Sequence, residues 1–284
     1  MPFYDGEKDN VISVYASSYH FQSYIAQAYQ QIKHLGFTHY FMIADDMIIN
    51  PSINESNIFE KTGISSTESY IYDIREMRNC FVPQHVSEMR KYRVKVKGVE
   101  VEKILPSKEE AERHFREHHL SVDDLSINYL LKQVHYAFKA RMLRRMLSFG
   151  KDVLMHNVKI NYPLVWGYSD ILLLPDDTMK TFSSYCGAFA ATGLFVEYAI
   201  PTSLVLSTKN IITDKQLKMH GVTQIYSNKR IKALNKCNAF NGYSPLYWEE
   251  EKVVKEYHMD LRYLLSHYPN DVFFIHPIKL SKWK

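Results

Sequence analysis

Three acidic sites and one histidine stand where side chains do chemistry. Asp45 and Asp46 close the apolar run THYFMIADDMIINP. Adjacent carboxylates repel each other unless a cation or hydrogen-bond donors neutralise them. Hard cations such as Mg²⁺ take oxygen ligands and share substrate phosphates. The pair therefore suits metal–diphosphate binding, and the plain alternative is a turn or a helix cap. His276 follows a second apolar run, DVFFI, and precedes Pro277. A lone histidine is more often structural than a ligand, but an imidazole at a strand end suits a Mn²⁺ site. Glu197 is the single charge in GLFVEYAIPTSLVL. It is either a structural acid with a partner or a general base whose pKa is raised by apolar surroundings. Asp170, in GYSD, precedes the run ILLLP and could face the same cleft.

Other candidates have plainer explanations. Asp176 and Asp177 stand where a helix must begin, so N-capping accounts for them. Arg141, Arg144 and Arg145 share a helical face that is either solvated or in contact with phosphates or a membrane surface. His114 and His118 share a helix face but have no acidic third ligand. Three cysteines (Cys80, Cys186, Cys237) without paired spacing read as buried small hydrophobes in a reducing compartment. The chain contains no GxxxxGK[ST], GxGxxG or GxSxG, so P-loop, dinucleotide-fold and hydrolase-elbow readings lose their best signatures.

The elements that would position these residues follow an α/β pattern. VISVYA (11–16) reads as a strand and residues 20–34 as an amphipathic helix ended by Gly36. The run that ends at Asp46 reads as a buried strand, so that strand, helix and strand begin a parallel sheet. A short helix is expected near 55–61. Residues 64–106 read as an excursion with a charged hairpin about Gly98. Ser107 and Glu110 form a capping-box pattern that opens a charged helix, and a longer helix is expected over 126–149. Ile171–Leu174 reads as a strand followed by a helix broken at Gly193. The Glu197 segment reads as core, residues 228–239 and 248–266 as helices, and DVFFIHPIKL as a final strand.

The chain has 284 residues and a net charge of +4, with 21 Tyr and 15 Phe to build a core. Mild basicity does not demand nucleic acid; it suits weak attraction to anionic membrane surfaces or phosphorylated ligands. The polar, acidic N-terminus does not read as a signal peptide. Residues 184–207 are long enough to span a bilayer, but Glu197 near their middle argues for a buried core segment instead.

Taken in order, THYFMIADDMIINPSINE, then GYSDILLLPDD with CGAFAATGLFVEYAIPT, then HPIKLSKW resemble the landmarks of bacterial glycosyltransferases of the GT-A fold. The resemblance rests on three separated blocks, and their order carries it. It implies an α/β fold, a GT-A-like (Rossmann-like) mixed sheet flanked by helices. Residues 1–284 would form a single such domain with an inserted helical and hairpin subdomain at about 64–150. Asp46, with Asp45 beside it, matches the motif that holds a divalent metal, Mn²⁺ or Mg²⁺, on a nucleotide diphosphate. Asp170 joins the cofactor-binding set, and His276 matches the histidine that completes the metal site. Glu197 matches the acid that deprotonates the acceptor hydroxyl in inverting members. The implied partners are a nucleotide-sugar donor and a glycan or lipid-linked acceptor, with no nucleic acid. The implied place is the cytoplasm, extending to the inner face of the membrane, in surface polysaccharide synthesis. Two further readings stay open: a GT-A-like binding module without turnover, and a metal-dependent nuclease using Asp45, Asp46 and the RMLRR face.

Overall fold

A computed structural model gives the fold and describes residues 1, 3–77, 100, 103–122, 162–236 and 247–284, with side chains throughout except at 233–236. The expected hairpin about Gly98, the expected helix over 126–149, the RMLRR arginines, Cys80 and Cys237 lie outside these residues.

Helix α1 (Phe21–Ile32) buries Gln22, Ile25 and Tyr29 at helical spacing. It runs into a 3-10 turn that stops at Gly36, whose φ of 71° is left-handed. VISVYA before it is not a strand of the sheet. Of its residues only Val14 is buried, and its backbone bonds to Met1 and Phe3 rather than to a strand edge. Apolar, β-branched sequence fits a strand only where a pleated surface is there to receive it.

The chain then gives β1 (His39–Ile43), β2 (Ile48–Ile49), the short helix α2 (Ile58–Thr62), β3 (Ser69–Ile71) and β4 (Arg75–Glu76). Helix α3 (Lys108–Glu117) begins at the expected capping box: Ser107 and Glu110 each accept from the other's backbone N–H. Next come β5 (Val165–Trp166), β6 (Ile171–Pro175), helix α4 (Asp176–Ala191) and helix α5 (Val196–Ser207). The rest comprises β7 (Ile211–Ile212), β8 (His220–Val222), β9 (Gln224–Tyr226), α6 (Asn228–Lys236), β10 (Tyr247–Glu249), α7 (Glu250–Tyr257), α8 (Leu261–Ser266) and β11 (Val272–Ile275). The expected helix over 248–266 is thus two helices, parted where His258 and Met259 both take positive φ.

The main sheet has the order β1-β6-β3-β7. β6 runs antiparallel to both β1 and β3, and only β3 with β7 is parallel. The expected parallel start to the sheet is therefore corrected to a mixed, mostly antiparallel one. An apolar run specifies burial and leaves strand direction open. β3 lies in the stretch read as an excursion, so the sheet takes in residues 69–71.

β6 is buried at all five positions because both its faces are covered. Leu172 and Leu174 face α1, α4 and α5 in a cluster with Ile25, Tyr29, Phe182, Ile200 and Leu204. Ile171 and Leu173 face the other way, onto Phe273 and Phe274 of β11. β11 sits in a second sheet of order β2-β11-β8. β1, expected to be buried, is an edge strand with Phe41 and Ile43 exposed. The layers are thus helices, main sheet and small sheet, a mixed α/β architecture. Among the described residues no helix is long and apolar enough to cross a membrane.

Asp176 and Asp177 are inside the first turn of α4 rather than at its cap, which is Pro175. There they oppose the positive helix end, and Asp176 also accepts from the Tyr40 hydroxyl at 3.1 Å.

Candidate active site

One end of the main sheet gathers the carboxyl ends of β1 and β3 and the amino end of β6, since β6 runs opposite to both. Each strand delivers an aspartate there: Asp46 after β1, Asp73 after β3 and Asp170 before β6. β11 ends beside them at His276. The Asp46 carbonyl accepts from the Ile278 N–H at 2.6 Å, and the His276 N–H donates to Val222 at 2.9 Å. The first bond ties the turn after β1 to the chain after β11, and the second ties that chain to β8.

As a result His276 Nε2 is 2.9 Å from Asp46 Oδ1 and 3.9 Å from Asp170 Oδ2. The histidine side chain is 12% exposed, that of Asp46 33% and that of Asp170 40%. Its Nδ1 lies 3.4 Å from the Thr223 carbonyl, and the Tyr168 ring meets the imidazole edge-on at 5.6 Å. Asp45 is exposed in the turn and is not part of this contact.

Glu197 is half-buried in the first turn of α5, where a negative charge opposes the helix dipole. The segment behind it, Tyr198–Leu206, is buried throughout, in keeping with a core segment. Pro201 lies within this helix. Proline has no N–H, so the carbonyl four residues earlier, that of Glu197, loses its helical partner. The Gly167 N–H donates to that carbonyl at 3.0 Å. Glu197 is thereby tied by its backbone to the turn that carries Asp170.

The same turn is held from a second side by Asp73, which the sequence reading passed over. Its Oδ1 accepts from the Tyr168 N–H at 2.7 Å, and its carboxylate pairs with Arg75. The Arg75 guanidinium lies 4.4 Å from the centre of the Trp166 ring, a cation–π contact between paired strands β4 and β5. A signal was present: SYIYD, like HYFMIAD, is a strand sequence ending in an aspartate.

Electrostatics bind these groups into one site. Desolvation pushes the Asp170 carboxyl above the ordinary range; the His276 ring opposes the rise, and the charges of Glu197 and Asp46 add to it. Although part of its side chain is open, the carboxyl is crowded by surrounding chain. Asp73 is likewise raised, first by burial, against the pull of Arg75 and the Tyr168 N–H, with the Glu197 charge adding to the rise. Glu197, on α5, thus acts on carboxyls flanking two strands, β3 and β6.

Asp46 Oδ1 and His276 Nε2 offer one oxygen and one nitrogen donor to a divalent ion, with Asp170 next in reach. Among the described residues no group of three or more His, Cys, Asp or Glu is arranged to hold a metal ion. Two protein donors could hold a divalent ion only if it drew its remaining ligands from elsewhere, such as substrate phosphates. His118 lies elsewhere, its Nε2 2.8 Å from the Thr208 carbonyl. A cavity of about 690 Å³ lies between α1 and α4, lined by residues such as Gln27, Ser183 and Gly187, and none of its lining residues belongs to this site. Comparison of the chain with protein-family models, with curated proteins and with solved structures finds no match in any of the three.

Proposed function

We propose that the chain is a metal-dependent glycosyltransferase of GT-A-like architecture, moving a sugar from a nucleotide-sugar donor to a glycan or lipid-linked acceptor. The observation that carries this reading is the approach of Asp46 and Asp170, from distant segments, to within 4 Å of His276. Asp46 and His276 would hold Mn²⁺ or Mg²⁺, and the bound ion would supply positive charge to the leaving diphosphate. Asp170 shares their cleft. Glu197 is the base. As the acceptor oxygen bonds to the anomeric carbon, the carbon–oxygen bond to the diphosphate breaks and the acceptor proton passes to the Glu197 carboxylate. The cytoplasm, at or near the inner membrane face, is the place where such donors and lipid-linked acceptors meet.

Titration calorimetry with Mn²⁺ and UDP, GDP or CMP sugars tests the reading. Asp46→Ala and His276→Ala should each weaken metal-dependent nucleotide binding by at least about tenfold. Glu197→Gln should leave binding in place and abolish transfer. Unchanged binding in Asp46→Ala would show the metal assignment to be wrong. A second reading is a binding module of GT-A-like architecture without turnover. No thermal shift with any of these nucleotides, with or without Mn²⁺, would favour it.

A further inference from the structure

We infer that Asp73 is a positioning residue for this site, holding the 167–170 turn so that Asp170 and the root of Glu197 face the Asp46–His276 pair. The inference rests on the glycosyltransferase reading for its chemical meaning, though its geometry stands apart from it.

The turn is held by three successive bonds to three different elements. The Gly167 N–H donates to the Glu197 carbonyl at 3.0 Å, on α5. The Tyr168 N–H donates to Asp73 Oδ1 at 2.7 Å, in the connection from β3 to β4. The Asp170 carbonyl accepts from the Ala44 N–H at 2.8 Å, at the end of β1. Asp73 supplies the middle bond, and the only side chain among the three.

That middle bond runs to a carboxylate paired with Arg75 and shielded from water, and bonds to such charged acceptors are stronger than those between neutral groups. Asp73 is 8% exposed, and its other oxygen is committed to Arg75. Arg75 is fixed in turn over Trp166 at 4.4 Å. The aspartate therefore has no other place to go, and its position is passed on to Tyr168. Tyr168 is in contact with the site: its ring lies edge-on to His276 at 5.6 Å and stacks on Phe274. Packing below the bond is equally close. A Cβ at Gly167 would fall 2.3 Å from the Asp73 carbonyl oxygen, so the turn rests directly on the Asp73 backbone.

A base and a metal-bound leaving group act together only at a fixed separation, and a displacement of about 1 Å can cost on the order of 100-fold in rate. Losing the middle bond should therefore lower kcat without loosening the Asp46–His276 pair, which is tied separately through Ile278 and Val222.

Asp73→Ala alone would take a carboxylate partner from the Arg75 guanidinium, so the test uses Asp73→Ala with Arg75→Met, which removes both charges and keeps bulk over Trp166. Asp73→Asn, also made with Arg75→Met so that its amide NH2 does not face the guanidinium, is the conservative partner and retains an oxygen acceptor for Tyr168. The probes are Mn²⁺ with UDP for binding, and nucleotide release from UDP-glucose, UDP-galactose, UDP-N-acetylglucosamine and GDP-mannose for turnover. The double variant should lose about 10- to 100-fold in kcat, with KM and Mn²⁺–UDP affinity within about threefold of the parent. Asp73→Asn should restore most of the kcat. Parental kcat in the double variant overturns the inference, as does an equal loss of affinity and turnover. If the parent chain releases nucleotide from none of these donors, the glycosyltransferase reading fails, and hydrogen exchange decides the positioning role. Faster exchange at the Gly167 and Tyr168 amides in the double variant, with α4 unchanged, upholds it; unchanged exchange there overturns it.

Discussion

Gly167→Ala is expected to be among the more damaging single-methyl additions this chain can suffer. Gly167 has no left-handed φ, so the penalty comes from space alone. The new Cβ would stand 2.3 Å from the Asp73 carbonyl oxygen, where real Cβ atoms keep at least 3.0 Å. The neighbour is backbone and cannot rotate aside. Turn and strand end must part by most of an ångström, which strains the Tyr168 bond across that gap and, as the turn shifts, its Gly167 bond to α5. The Tyr168 N–H to Asp73 bond has a charged acceptor and is worth about 1.5–3 kcal/mol. The Gly167 N–H to Glu197 bond is neutral and worth about 0.5–1.5 kcal/mol. A loss of about 2–4 kcal/mol follows, within the range of overpacked sites. At about 2–4 °C per kcal/mol for a chain of roughly this size, Tm should fall by about 5–15 °C. Urea unfolding followed by circular dichroism measures it directly. Gly187→Ala is the internal control. Gly187 lies within α4, and its Cβ would meet only Ala26 at 3.4 Å, an ordinary contact. Alanine is a better helix former by about 1 kcal/mol, so this variant should match or exceed the parent in stability. Equal effects at the two glycines, or a loss at Gly167 below about 1 kcal/mol, would refute the packing argument.

Other expectations concern single, separable features. Ser107→Ala removes one half of the capping box on α3 and should cost about 1 kcal/mol, measured by denaturant unfolding. Asp214 is buried, and desolvation raises its carboxyl above the ordinary range despite the Gly221 N–H and His220. A folded-state pKa above the unfolded one means that ionisation opposes folding; the penalty is absent below the unfolded value of 3.8 and complete above the folded value. Asp214→Asn should therefore gain stability relative to the parent as pH rises from 3.5 to 7, and a pH-independent difference would contradict this. Burial pushes the Cys186 thiol up to about 12. In a chain carrying Cys80→Ser and Cys237→Ser, Cys186 should resist a thiol reagent at pH 8 until urea unfolds the protein.

Much of the fold's local grammar was legible because it depends on neighbours in sequence. The helix around Ile25, the stop at Gly36, the Ser107–Glu110 box and the unbroken ILLLP strand all follow from periodicity and capping. So did the idea that strand ends deliver Asp46 and His276, which do meet. What was not legible depends on partners far along the chain. ILLLP reads as buried whichever way its neighbours run, so the antiparallel pairing with β1 and β3 was hidden. Phe41 and Ile43 look like core residues, and only the strand order makes β1 an edge. VISVYA has strand-forming residues but no sheet edge to join. Asp73 escaped notice because its significance lies in what it bonds to, the Tyr168 N–H and Arg75, and in a glycine 94 residues later that leaves room for its backbone.

Pro201 has a consequence for how this site could change over time. By withholding an N–H, it hands the carbonyl of residue 197 to the 167–170 turn. Every amino acid brings the same carbonyl, so the attachment is indifferent to which side chain stands at 197. The support of the turn and the chemistry of the acid are thus inherited separately. On the proposed reading, substitution at 197 would silence or alter the reaction while the scaffold persists, whereas substitution at 201, four residues from the acid and inside buried helix, would reach the scaffold itself. A chain built this way can exchange one chemistry for another, or lose it, without first having to survive unfolding.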